Sequence, residues 1–178
     1  PDRPEGYFLK AILYYAVTLS DDSRALQDSL DYYSETAIDI TENLLKTDSD
    51  NQYYYFYLGA IHGNLGLQSL RRGKYWSAYR NGSKGKNYLK KALELDPELE
   101  DAKLGLGMFQ YYVDVLPKYL KFFLFFVRMS GDREAGLENI IAAKEYGTIT
   151  KLEANLFLAR IFNEFEGRAE ESETMFKV

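Results

Sequence analysis

Apolar residues recur along this chain at spacings of three and four, and no segment alternates apolar with polar positions as a half-buried strand does. Prolines stand only at positions 1, 4, 97 and 117. The pattern predicts an all-α chain, with helices at roughly 4–19, 23–47, 51–72, 74–96, 100–114, 117–129, 132–146, 150–165 and 168–177. The breaks fall on caps and helix breakers: Ser20-Asp21-Asp22-Ser23, Thr47-Asp48-Ser49-Asp50-Asn51, Arg72-Gly73-Lys74, Asp96-Pro97, Ser130-Gly131-Asp132 and Gly167. Such short connections force consecutive helices to run antiparallel as hairpins.

The pattern also repeats with a period of 48 residues. Ala11, Gly59 and Gly107 fall on one lattice, as do Phe8, Phe56 and Leu104, and Leu13, Ile61 and Phe109; a second lattice joins Ala37 to Gly85, Leu44 to Ala92, and Asp48 to Asp96. Self-similarity at such a period marks stacked units, each burying its apolar face on the next. The predicted organisation is a single repeat domain over 1–178, with copies at about 4–51, 52–99 and 100–150, an insertion at 114–130 in the third copy, and a partial copy over 151–178.

Two stretches carry a family resemblance. Lys91-Ala92-Leu93-Glu94-Leu95-Asp96-Pro97 followed by Leu106-Gly107, and Ala37-Ile38 through Leu44-Leu45 followed by Tyr55 and Leu58-Gly59, resemble the tetratricopeptide repeat. The resemblance implies a right-handed solenoid of antiparallel helix hairpins whose first helices line a concave groove. An ordinary repeat of this kind has about 34 residues, so the copies here are longer by 14. Seven extra residues per helix are nearly two turns, with about 20° of drift, so the seam residues keep their face. Projecting the family's groove positions onto this chain selects Tyr53, Phe56, Ala60, Gly63 and Asn64, and one repeat later Asp101, Leu104, Met108, Tyr111 and Tyr112. These residues resemble a tyrosine-rich groove for a protein or peptide partner. Some members of the family hold a C-terminal carboxylate with Lys and Asn; only Asn64 fits such a clamp, and none is expected.

Composition narrows the alternatives. At 46% hydrophobic residues the chain has enough apolar material for a continuous interior, and its net charge of −5 gives no global attraction for nucleic acid or anionic lipid. The absence of cysteine removes disulfides and thiolate chemistry and leaves the redox compartment open. Opening on Pro1 and stopping at Val178 inside a helical pattern, the chain reads as a piece of something longer, and cytoplasmic and bacterial-envelope locations both stay open.

Further segments bear on function. The run Tyr53 to Tyr57 places aromatics on every face of a helix, so some must be core and others open. The segment Val115 to Met129, with Tyr119, Phe122, Phe123 and Phe126, is apolar nearly all round. It is expected to dock against the long hairpins; left exposed, it would serve as a partner knob or a membrane-surface anchor. From Arg71 to Lys91 there are eight basic residues and no acidic one. Compensation by Asp28, Asp31, Glu35, Asp39 and Glu42 explains that stretch more simply than nucleic-acid binding. His62, the sole histidine, has no evident catalytic partner, and no nucleophile motif, metal-ligand spacing or phosphate-cradling loop appears. No catalytic residue, cofactor or metal is expected. The sequence thus favours a non-enzymatic scaffold that binds a protein or peptide through its groove, over a peripheral membrane or envelope-associated assembly factor using residues 115–129.

Overall fold

The computed structural model describes residues 3–21, 23–117 and 130–175. Among these the chain is entirely helical, and it divides into two compact units, residues 1–97 and 98–178. The helices begin and end within one or two residues of the positions set by the sequence pattern. The expected helix at 117–129 lies outside the described residues, as do Tyr119, Phe122, Phe123 and Phe126.

The first unit holds α1 (Pro4–Thr18), α2 (Arg24–Leu45), α3 (Gln52–Arg71) and α4 (Tyr75–Leu95). Pro4 starts α1 at a position where its missing N–H costs nothing. The Asn51 side chain caps α3 by accepting from the Tyr53 N–H at 3.1 Å. On α2 the buried positions Leu30, Ser34, Ala37 and Thr41 follow the i, i+4, i+7, i+11 spacing of a single face. Phe8 and Phe56, equivalent positions 48 residues apart, meet edge to face at 5.5 Å, and Phe8 also lies 4.6 Å from Tyr57. In this pair, repeat-equivalent positions are direct neighbours in the core.

The pair α3–α4 is joined by glycine. A Cβ at Gly85 would stand 2.9 Å from the Gly59 oxygen and 2.9 Å from the Gly63 nitrogen; one at Gly66 would stand 3.0 Å from the Gly82 nitrogen. The two backbones touch over this stretch. The turn between them needs the left-handed region at Gly73, where φ is +67°. Gly73 N–H donates to the Leu70 carbonyl at 3.0 Å and Lys74 N–H to Ser69 at 2.8 Å, the paired bonds of a Schellman stop.

The second unit holds α5 (Glu100–Val115), α6 (Arg133–Tyr146), α7 (Lys151–Glu164) and the short α8 (Ala169–Met175). Asp132 caps α6 through the Ala135 N–H at 3.0 Å, and the Asp132 N–H reaches back to the Gln110 carbonyl at 3.0 Å. That return requires a residue without a side chain before it, because a Cβ at Gly131 would collide with the Asp114 nitrogen. Gly107 and Gly136 repeat in α5–α6 the close approach that Gly59 and Gly85 make in α3–α4. Ile140, Ala143, Ala154, Leu158 and Ile161 are fully covered.

Candidate functional site

The side chains that stand out chemically in the first unit form a polar seam among α2, α3 and α4. His62, 5% exposed, has Nδ1 3.0 Å from the Asn81 side-chain oxygen and lies stacked at 5.8 Å on Tyr88. The Asn81 amide nitrogen donates to the Ser77 carbonyl at 3.1 Å, so its oxygen faces the histidine. His62 therefore carries its proton on Nδ1, an assignment that follows from the hydrogen-bond network. Nε2 is left a buried lone pair with no hydrogen-bond partner among the described residues. Burial holds the imidazole below its ordinary pKa, and the Lys84 charge adds to this; Asn81 and Glu42 pull the other way.

The seam continues toward the α3–α4 turn. Ser69 and Ser77 hydroxyls meet at 3.1 Å, and the Gln68 amide donates to Gln27. There the seam opens into a pocket of about 180 Å³ bordered by Asp31, Gln68, Ser69, Arg72, Lys74, Ser77 and Asn81. The lining is mainly polar, with one carboxylate, two cations, two hydroxyls and two amides, beside the apolar side chain of Leu65. Beside it Tyr75 and Trp76 are 52% and 62% exposed, and the Trp76 ring lies 5.4 Å from Tyr79.

The expected groove residues are placed unevenly. Phe56, 1% exposed, is enclosed with Phe8 and Tyr57; Leu104, Met108 and Tyr111 are also buried. Tyr53 is 43% exposed, while Ala60, Gly63, Asn64 and Tyr112 are half-buried. Asp101 is buried, and one of its oxygens accepts from the Thr148, Ile149 and Thr150 N–H groups at 3.0, 2.9 and 2.8 Å and from the Thr150 hydroxyl at 2.8 Å. It organises the turn before α7. The Tyr111 hydroxyl donates to Glu166 at 2.5 Å, and Arg133 forks onto the same carboxylate. Arg133 above all draws the Glu166 pKa down; burial drives the Tyr111 hydroxyl up.

Of the aromatic run, Phe56 and Tyr57 turn inward and Tyr53 outward, as five successive helical residues must. Burial pushes the Tyr57 hydroxyl up to about 12. Between the acidic α2 and basic α4, Tyr88 donates to Glu42 at 3.4 Å, while Arg24–Asp28 and Lys91–Glu94 pair within their own helices. No group of three or more potential metal ligands occurs among the described residues, and no helix there is long and apolar enough to cross a membrane.

Compared with known proteins, the sequence matches no family model, and no curated protein and no solved structure matches it at a significant level.

Proposed function

We propose that the chain is a non-enzymatic helical-repeat scaffold that binds a protein or peptide partner, its elongated hairpins continuing as a right-handed, tetratricopeptide-like stack. The observation that carries this reading is the duplicated glycine crossing. Gly59 with Gly85, and 48 residues after Gly59, Gly107 with Gly136, bring two successive helix pairs to backbone contact in the same way. One supersecondary unit copied along the chain is the construction of modules that work by presenting an extended surface. Among the positions selected for the partner surface, Tyr53, Ala60, Asn64 and Tyr112 retain accessible area. Tyr53, Ala60 and Asn64 stand at i, i+7 and i+11, along one stripe of α3.

The test begins by photo-crosslinking from position 64 to identify the partner. Its dissociation constant is then measured for the wild type and for Tyr53→Ala with Asn64→Ala. The reading expects at least tenfold weaker binding and an unchanged melting temperature. Equal affinity, or cross-links absent from this stripe but present elsewhere, would rule the groove out as the binding face.

A further inference from the structure

We propose that the α3–α4 end of the first unit is a membrane-contacting surface, in which the pocket beside Lys74 holds the phosphate of an anionic phospholipid headgroup while Tyr75 and Trp76 enter the bilayer interface. Three observations meet there. The pocket supplies Lys74 for a phosphate, with Arg72 in the same lining, while the Ser69 hydroxyl is held by the Leu65 carbonyl at 2.7 Å and by Ser77. Asp31 supplies an acceptor for a hydroxyl or ammonium on the rest of the head. Its volume of about 180 Å³ corresponds to about six water molecules of liquid, the size of a headgroup.

The second observation is the pair of exposed aromatics that follows Lys74 in the first turn of α4. Large exposed aromatics mark contact surfaces, and Trp and Tyr with neighbouring Arg and Lys are the residues that settle at headgroup depth. The turn gains an aliphatic neighbour from the end of α1. Arg71 donates to the Thr18 carbonyl at 3.3 Å, which brings the helix end with exposed Leu19 beside the turn.

The third is charge. Arg71, Arg72 and Lys74 cluster at this turn within a chain of net charge −5, against the one carboxylate of Asp31 in the pocket lining, and this local excess of positive charge favours an anionic bilayer. Of the acids on α2, Asp31 lines the pocket itself and Asp28 pairs with Arg24 at 3.9 Å. Gly73, held at positive φ by the turn's hydrogen bonds, fixes Lys74, Tyr75 and Trp76 at the tip. A single-stranded nucleic acid would also meet cations and rings here; the carboxylate in the pocket lining favours a head with its own donor over a polyanion.

Trp76 is the only tryptophan in the chain, so its emission reports on this surface alone. The 178-residue protein is titrated with vesicles of phosphatidylcholine and with vesicles containing three parts in ten phosphatidylglycerol. The expected result is a blue shift and co-flotation with the phosphatidylglycerol vesicles only. Arg72→Gln with Lys74→Gln should weaken binding about twentyfold, near fivefold per charge removed, with helical content unchanged. Trp76→Ala, followed by flotation, should weaken it as well. No blue shift on anionic vesicles overturns the proposal. So does flotation indifferent to Arg72 and Lys74, which would place the contact elsewhere in the chain. Saturable binding of inorganic phosphate or a single-stranded oligonucleotide without vesicle binding would assign the pocket to those ligands instead.

Discussion

Gly107 and Gly136 meet so closely that a Cβ on Gly107 would stand 2.6 Å from the Gly136 carbonyl oxygen, and one on Gly136 2.8 Å from the Gly107 oxygen. Neither oxygen can retreat without moving its helix. Gly107→Ala should therefore cost about 1–3 kcal/mol in urea unfolding, and Gly107→Leu at least as much. Gly63→Ala meets nothing within 4 Å and sits mid-helix, so it should gain up to about 1 kcal/mol. Similar stability for Gly107→Ala and Gly63→Ala would contradict the close approach.

Gly73→Ala introduces a side chain at φ +67° with open space around it. The cost is backbone strain alone, about 1 kcal/mol, visible as a lower denaturation midpoint. An unchanged midpoint would mean the turn does not hold that conformation in solution.

Asp101 holds four donors on one oxygen. Asp101→Ala should destabilise by about 2–4 kcal/mol, and Asp101→Asn, which keeps an acceptor, by about 1 kcal/mol. Amide exchange at Thr148, Ile149 and Thr150 should accelerate most in the alanine variant. If these amides keep their protection, the carboxylate is not what orders the turn.

Two groups give opposite pH slopes. Burial raises the Glu153 pKa from 4.5 to about 7, so between those values the folded state binds the extra proton and stability falls as pH rises. Glu153→Gln should then gain about 2 kcal/mol at pH 8, allowing for the part of the side chain still exposed, and nothing at pH 4. His62 is shifted down from 6.5, so below that value the unfolded chain binds the extra proton and stability rises with pH. The stability of wild type relative to His62→Gln should increase from pH 5 to pH 7.5. A flat difference in either series would show that the group titrates alike in both states.

These sites also mark how far the sequence could be read. The helix limits were visible because the connections are short and rich in caps: Asn51 and Asp132 sit where side-chain caps form. The repeat lattice singled out Gly59 and Gly107, because a small residue returning at a fixed period is what a helix crossing needs wherever two backbones touch. The lattice could not tell which side of a helix stays open. Phe56 was projected onto a groove, yet its equivalent Phe8 lies against it. Asp101 was projected onto the groove, whereas it holds the turn before α7 through backbone N–H groups that no residue type announces. The polar seam was hidden by distance: Gln27 and Gln68 lie 41 residues apart, and Ser69, Ser77 and Asn81 read as ordinary solvent-facing helix residues.

The bare glycine contact between α3 and α4 contributes little to their axial register. Where Gly63 and Gly66 meet Gly85 and Gly82, no knob enters a hole, and smooth backbones resist sliding poorly. Leu89, whose side chain sits where a Gly59 Cβ would be, is the peg at one end, and the Gly73 turn is the hinge pin at the other. A single proteolytic nick at that turn would remove the covalent stop, leaving Leu89 and the polar pairs His62–Asn81 and Ser69–Ser77 to keep the helices from creeping past each other by a turn.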